Sequence, residues 1–213
     1  QICNDYGADT LRLYEMFLGP IEQAKPWNTA GISGTYSFLK KFWNLFHSTG
    51  EFYVDDNDPS KESLKILHKT IKKIEEDINN FSLNTSVSAF MICVNELSSQ
   101  KCNNLYILKK LTILLSPFAP HICEEIWNKL GNLNTISFEP FPIFNPEFIK
   151  ESSFEYPVSF NGKMKFKLNL EASLGVEEIK KTLKEDERLE KYLNQSEIKK
   201  IIVVPGKIIN IVC

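Results

Sequence analysis

Arginine is scarce in this sequence, and its scarcity limits how the chain can hold an anion. Only Arg12 and Arg188 are arginines among the 25 basic residues. A guanidinium offers a planar fork of donors that grips a phosphate or carboxylate at two points, whereas a lysine ammonium acts as a single charge. Any contact with a polyanion therefore falls mainly to lysines.

Cysteines and long apolar runs are also few. The five cysteines are odd in number and show no C-x-x-C spacing, which argues against a disulfide framework and a zinc site. No apolar run approaches the ~18 residues of a membrane span. We therefore expect a cytoplasmic protein without membrane contact. Because the first residue is Gln1, within a polar stretch, we also expect a portion of a longer protein.

The sequence lacks the patterns that carry catalysis. It has no Gly-rich phosphate loop of the G-x-x-x-x-G-K-S type. The run from His121 to Glu124 contains His, Cys and Glu, but consecutive helix positions point about 100° apart, so these side chains do not converge. His47 and His68 stand alone on predicted helices and are expected to be exposed. We expect no catalytic residue, no metal site and no cofactor in this chain.

Apolar residues recur at steps of three and four through the first two thirds of the chain. The clearest case is residues 60–80, where Leu67, Ile71 and Ile74 share one face. Such spacing with short loops predicts an antiparallel helical bundle. Helices are predicted at 9–18, 29–48, 60–80, 85–97, 105–115 and 118–130, with an acidic loop at 51–59.

The last part of the chain changes to strand-like alternation around two turn signals, Asn161-Gly162 and Pro205-Gly206, with a charged helical segment between them. This order predicts a small ββαββ module. Residues 155–213 carry 11 basic and 9 acidic residues, a net +2, against 14 and 18, a net −4, in the remainder. The predicted fold is mainly α: a helical bundle domain at 1–148, then an α+β domain at 155–213.

The first predicted hairpin carries lysines at every second position. A two-residue loop at Asn161-Gly162 mixes apolar and charged residues on each face, so we predict a three-residue loop with Gly162 at positive φ. Met164 then faces the core. Lys163, Lys165 and Lys167 lie on the outer face and, with Lys207 in the facing turn, are candidate contacts for an RNA backbone. The alternative interpretation is an ordinary solvated face.

Several segments together resemble the class I aminoacyl-tRNA synthetases. The early ones resemble the exit from the nucleotide-binding fold and the helical anticodon-binding domain shared by the leucine, isoleucine, valine and methionine enzymes. The last two are similar to the C-terminal domain of bacterial-type leucyl-tRNA synthetases. The segments are YGADTLRLYEMF (6–17), W (27), GISG (31–34), FLKKFW (38–43), LNTSVSAFM (83–91), LLSPFAPHICEEIW (114–127), VSFNGKMKFKL (158–168) and IIVVPGKIINIV (201–212).

The resemblance implies a function for the chain as part of a larger ligase. The family's HIGH and KMSKS signatures and its editing domain are absent, so the ATP and Mg used by the family belong to the parent enzyme, and this part alone is expected to be inactive. Its implied role is to bind tRNA(Leu), as a monomer, so that the distant acceptor end reaches the catalytic site. The terminal module is implied to reach the outer corner of the tRNA.

One departure from the family pattern concerns the bundle. The family usually places an Arg immediately before Phe38-Leu39, and here that position is Ser37. Lys40 and Lys41 are candidate tRNA contacts that replace its charge but not its bidentate geometry.

Two other functions stay open from the sequence. One is the same region of a valyl- or isoleucyl-tRNA synthetase, against which the terminal module argues. The other is a helical protein-interaction module with no RNA role, which a tRNA gel shift across a salt series distinguishes.

Overall fold

The computed structural model describes residues 1–150, 153–193 and 198–213. Within them the chain is mainly α-helical with a small mixed sheet, which confirms the predicted mainly α class. The chain divides into two compact units, Gln1–Ile149 and Lys150–Cys213. Whether residues 1–148 and 155–213 behave as separate domains in solution stays a prediction, and a proteolysis experiment tests it below.

The first unit is built from helices that bury apolar stripes against one another. In the longest, α4, the Ser60 side chain accepts a hydrogen bond from the Ser63 backbone N–H and so caps the first turn. Leu67, Ile71 and Ile74 on its inner face are buried, as the spacing predicted. The helices are α1 (Ile2–Tyr6), α2 (Ala8–Phe17), α3 (Ile32–Asn44), α4 (Lys61–Asn79), α5 (Leu83–Ser99), α6 (Leu105–Leu115) and α7 (Pro120–Lys129).

Helix α3 is shorter than the predicted 29–48 at both ends. It is preceded by a 3-10 turn, Thr29–Gly31, and followed by the two-residue strands β1 (His47–Ser48) and β2 (Glu51–Phe52). The helix ends at Asn44, and His47 and Ser48 instead pair with β2 across a turn in which Thr49 and Gly50 have φ +53° and +89°. The predicted acidic loop therefore begins with a strand.

His68 is buried, at 3% exposure, and the expectation that it is solvated was wrong. Its ring stacks on Phe148, with centroids 4.6 Å apart, and its Nδ1 accepts a hydrogen bond from the Asn145 N–H at 3.1 Å. Residues about 77 positions away therefore cover this histidine. The 3-10 turn Pro146–Ile149 packs on α4 through these contacts.

The second unit is a four-stranded sheet with two helices between its hairpins. The strand order is β4-β3-β6-β5, and the central pair β3–β6 is parallel. The predicted single helical segment is divided in two, because the Asp186 side chain accepts from the Arg188 N–H and starts a new helix there. The elements are β3 (Ser153–Phe160), β4 (Lys163–Glu171), α8 (Val176–Lys184), α9 (Arg188–Leu193), β5 (Lys200–Val204) and β6 (Ile208–Val212).

The first hairpin has the two-residue loop, and the predicted three-residue register was wrong. Phe160 pairs with Lys163 across Asn161 and Gly162, whose φ values are +47° and +82°. Positive φ at both positions defines the tight hairpin turn that matches strand twist. Gly162 does adopt the predicted positive φ.

A β-bulge reconciles this register with burial of the apolar residues. Ser159 pairs with Met164 and Val158 with Phe166, which leaves Lys165 without a partner on β3. The extra residue shifts the alternation, so Phe166 faces the core while Met164 is 59% exposed. The prediction that Met164 is buried was therefore wrong.

Two structural absences hold for the part of the chain that the structure describes. No helix there is long and apolar enough to cross a membrane. No three His, Cys, Asp or Glu side chains in those ranges are grouped as ligands for a metal ion.

Candidate nucleic-acid interface

Both arginines are occupied by structural contacts. Arg12 donates to the carbonyl oxygens of Pro117 (2.9 Å) and Phe118 (3.4 Å), where α6 gives way to α7. Arg188 grips both carboxylate oxygens of Asp186 at 2.7–2.9 Å. The side-chain hydrogen bonds from Arg188 lower the pKa of the Asp186 carboxyl below its usual value. Contacts with a polyanion are thus left to lysines.

The three lysines of β4 do not form one stripe. Lys167 lies between buried Phe166 and Leu168, so it points to the opposite face, where its Nζ is 2.7 Å from Glu155 Oε2. Lys165, in the bulge, has its Nζ 5.9 Å from the centroid of the Tyr192 ring, the ring on which Phe166 also stacks. The bulge therefore places Lys165 and Lys167 on different faces, which corrects the predicted common face.

Lys163 and Lys207 are exposed at opposite ends of the sheet. Because β6 runs parallel to β3, the turn before β6 lies at the start of β3, where the Gly206 N–H donates to the Tyr156 hydroxyl at 2.8 Å. The turn that carries Lys163 adjoins Phe160, whereas the parallel register places Lys207 level with Tyr156, so the two lysines are separated by ~13 Å along β3 at ~3.3 Å per residue. The predicted facing arrangement of Lys163 and Lys207 was wrong.

The structure brings two other lysines to the Lys163 end of the sheet. Phe160 pairs with Lys163 on one side and with Ile211 of β6 on the other. Lys200 pairs with Val212, and the preceding Lys199 donates its backbone N–H to the same residue. Lys163, Lys199 and Lys200 are all exposed, and we name them the basic end.

Sequence reasoning missed Lys199 and Lys200 because they lie at the start of β5, far from the first hairpin in sequence, and only the strand order places them at the Lys163 end of the sheet. No local pattern specifies that order. In the sequence they are two lysines among the other charged residues of their segment, and nothing local distinguishes them.

On the first unit, Ser37, Lys40 and Lys41 are exposed on one face of α3, at spacings of three and four. Lys40 Nζ lies 4.3 Å from the centroid of the Tyr36 ring, a cation–π contact. Lys41 Nζ donates to Asn95 Oδ1 at 2.9 Å. The position where the resembling family usually carries Arg is therefore an exposed serine beside two lysines.

A cavity of about 540 Å³ opens beside this face. One wall is α3, and another is formed where Asp9, at the start of α2, meets the start of α7. The buried Asp9 carboxylate accepts the backbone N–H groups of His121 (3.3 Å) and Ile122 (2.7 Å) and lies 2.7 Å from His121 Nδ1. Asp9 thus caps α7 from another helix and fixes the imidazole at the cavity rim.

The residues that superficially suggested a metal or nucleophile have structural roles. Cys123 is completely buried, and burial raises the pKa of its thiol well above the ordinary value. Glu124 Oε2 accepts from the Thr135 hydroxyl and from the Ile136 N–H, both at 3.1 Å. Cys93 is also buried, and burial raises its pKa to about 12. The two thiols lack the exposure that a nucleophile needs, and the Glu124 carboxylate stabilises the fold through its hydrogen bonds.

The described residues form helices and an α+β module that expose lysines, while both arginines make contacts within the fold. These features are those of a binding scaffold, and comparison with known proteins identifies its class. Residues 60–181 match the family described as the anticodon-binding domain of tRNA ligase. The match covers more than half of the chain, and the chain belongs to this family.

The similarity extends to particular ligases. The chain is 58% identical to the leucine–tRNA ligase of Christiangramia forsetii and 60% identical to that of Flavobacterium psychrophilum, over 100% and 99% of its length. That of Bacteroides thetaiotaomicron is 53% identical. The chain spans 22% of the length of each of these relatives, so it corresponds to only a part of such an enzyme.

A solved structure is similar in fold over nearly the whole chain. The LeuRS of Agrobacterium radiobacter K84, in a ternary complex with tRNA and LeuAMS, superposes with a TM-score of 0.73 at 27% identity. The alignment covers 99% of this chain and 29% of that one.

Proposed function

We propose that this chain is the tRNA-holding part of a leucine–tRNA ligase. The observation that supports this most strongly is the identity of 58–60% to leucine–tRNA ligases along the entire chain. The neighbouring fold in a LeuRS–tRNA complex supports the same partner. In the whole enzyme, ATP-dependent leucylation belongs to parts outside this chain, and this chain positions tRNA(Leu) for it in the cytoplasm.

The proposed mechanism is positioning by backbone contacts. Lysines held on the helices and strands of each unit contact the RNA backbone without reading its sequence. The basic end of the second unit supplies one group of phosphate contacts, and Lys40 and Lys41 on α3 supply another. Lys165, Lys167 and Lys207 remain candidates, with Lys167 exchanging its exposed partner Glu155 for a phosphate at little cost. Holding the tRNA body lowers the entropic cost of presenting the acceptor end.

A tRNA-binding measurement across a salt series tests this function. We expect the chain to bind tRNA with an affinity that falls as salt rises, because lysine–phosphate contacts release counterions. Replacing Lys163, Lys199 and Lys200 with Ala weakens binding and reduces the salt slope by roughly one unit or less for each lysine. The matched control replaces Lys180, Lys181 and Lys184 of α8 with Ala and retains both affinity and slope.

A second measurement separates this function from catalysis. The chain is expected to support no leucine-dependent ATP–pyrophosphate exchange, since it carries no phosphate-cradling motif. Light scattering on the same sample tests the proposed monomer. Failure to bind tRNA at low salt, with the fold intact by circular dichroism, favours the alternative of a protein-interaction module.

A further inference from the structure

The 540 Å³ cavity of the first unit has the composition of a nucleotide site. Tyr36 and Trp43 are seven residues apart on α3 and so line the same face of the helix. The Tyr36 ring is fixed by an edge contact with Tyr6, at 5.6 Å between centroids and 87° between planes. The Trp43 ring is held by stacking on His47, with centroids 4.8 Å apart. Aromatic walls fixed in this way accept a flat, unstacked base.

The charged group that can bind a ligand at this cavity is the Lys40 ammonium. The Lys40 ammonium lies over the Tyr36 ring at 4.3 Å, and no carboxylate in the described residues pairs with it. The acid that lines the cavity, Asp9, is already satisfied by two backbone N–H groups and by His121. Because Asp9 also occupies the start of α7, that helix end is closed to a second anion.

His121 adds one adaptable polar group at the rim. Its side chain is 71% exposed, yet its Nδ1 is held 2.7 Å from Asp9. When Nδ1–H donates to the carboxylate, Nε2 remains as an acceptor on a ring that cannot turn freely. A base edge carrying an amino or imino proton fits such an acceptor.

From these contacts we infer that the cavity binds one unstacked nucleotide of the bound tRNA. The base lies against Tyr36 and Trp43, its phosphate lies at Lys40, and His121 accepts a hydrogen bond from the base edge. This inference rests on the proposed tRNA-binding function and deepens it. The occupant is an RNA nucleotide rather than an apolar peptide because a fixed, unpaired ammonium beside aromatic rings complements an anion with a flat base.

The groove between α4 and α5 has lysines, as the cavity does, but it lacks the aromatic rings. That groove, of about 310 Å³, is lined by Lys69 and Lys73 but by no aromatic ring. Lys73 there is paired with Asp77 at 2.5 Å. It therefore offers a control lysine, Lys69, that is exposed on a helix without a stacking partner.

The test measures tRNA affinity of the 213-residue chain with substitutions at the cavity. Tyr36→Ala is expected to weaken binding about 5- to 50-fold, as loss of base stacking does. Tyr36→Phe, which keeps the ring, restores it to within about 2-fold. Lys40→Ala weakens binding about 3- to 10-fold and lowers the salt slope by roughly one, whereas Lys69→Ala changes neither.

Mononucleotides locate the contact without relying on tRNA. Saturation-transfer NMR with adenosine and uridine 5′-monophosphate should show transfer to base protons in the wild-type chain and its loss in Tyr36→Ala. If tRNA binds the Tyr36→Ala and Lys40→Ala chains as tightly as the wild type, the cavity inference is overturned while the proposed function stands. If the wild type binds no tRNA, the proposed function falls, and with it the assignment of the nucleotide to tRNA. If neither monophosphate shows transfer with the wild-type chain, the inference is also overturned.

Discussion

At the scale of single residues, burial separates the cysteines into reactive and inert thiols. Cys3 is exposed, whereas Cys93 and Cys123 are buried with pKa values raised by desolvation, that of Cys93 to about 12. Because the thiolate is the reactive form, we expect iodoacetamide at pH 8 to label Cys3 rapidly and the two buried thiols only after denaturation. Mass spectrometry of peptides over a time course measures this. Early labelling of Cys93 in the folded protein would contradict the burial.

His68 makes a second prediction at this scale, on pH. Burial lowers its pKa from the usual value, so the folded state holds the neutral ring. A group of this kind contributes stability above its unfolded pKa of about 6.5, and that contribution is lost as pH falls from there toward the lowered folded value. Protonation also replaces the Nδ1 lone pair that accepts the Asn145 N–H.

The measurement is thermal unfolding of the wild type and His68→Asn between pH 8 and pH 5. Asn keeps an acceptor at the δ position but does not titrate, so the variant is less stable at pH 8 and loses less on acidification. The neighbouring charges and titratable groups stay constant between the two proteins: Lys65, Lys69 and Lys72 on α4, Tyr106 and Lys110 on α6, and Glu147 in the 3-10 turn. Equal pH dependence in both proteins would assign the acid sensitivity to other groups.

At the scale of elements, two glycines with opposite backbone requirements test the helix and the hairpin. Gly162 has φ +82°, so Gly162→Ala is expected to destabilise the second unit by about 1 kcal/mol or more. Gly34 lies in α3 with helical backbone and open space at its Cβ position, so Gly34→Ala is expected to stabilise by about 0.4–1 kcal/mol. Calorimetry of both variants measures the two signs. Destabilisation by Gly34→Ala would indicate a contact that the open space does not reveal.

The elements also show what the sequence could and could not predict. Helix α4 was predictable because its buried face is a local repeat of Leu67, Ile71 and Ile74. The hairpin register could not be predicted in the same way. With regular alternation, a two-residue turn mixes apolar and charged residues on each face, and only the bulge at Lys165 lets Phe166 reach the core. Burial of His68 and the position of Lys200 depend on residues far away in sequence, and no local spacing records those contacts.

At the scale of the whole molecule, the division into two units predicts where a protease acts. The sequence predicts a hinge between Pro146 and Tyr156, where three-four spacing changes to alternation, and the first compact unit ends at Ile149. Limited digestion with a low-specificity protease is expected to cut first between residues 146 and 156. Peptide mapping of the first products measures it. First cuts inside 60–115, or a single resistant core, would contradict separate domains.

The parallel pairing of β3 with β6 also determines the order in which the second unit can be assembled. Val158 and Ile209 are neighbours in the sheet although 51 positions separate them in sequence. A ribosome therefore releases the first hairpin and both helices before the strand that completes their core exists. Until then β3 has an unpaired inner edge, and the nascent hairpin is a site where a chaperone or another chain can add a strand.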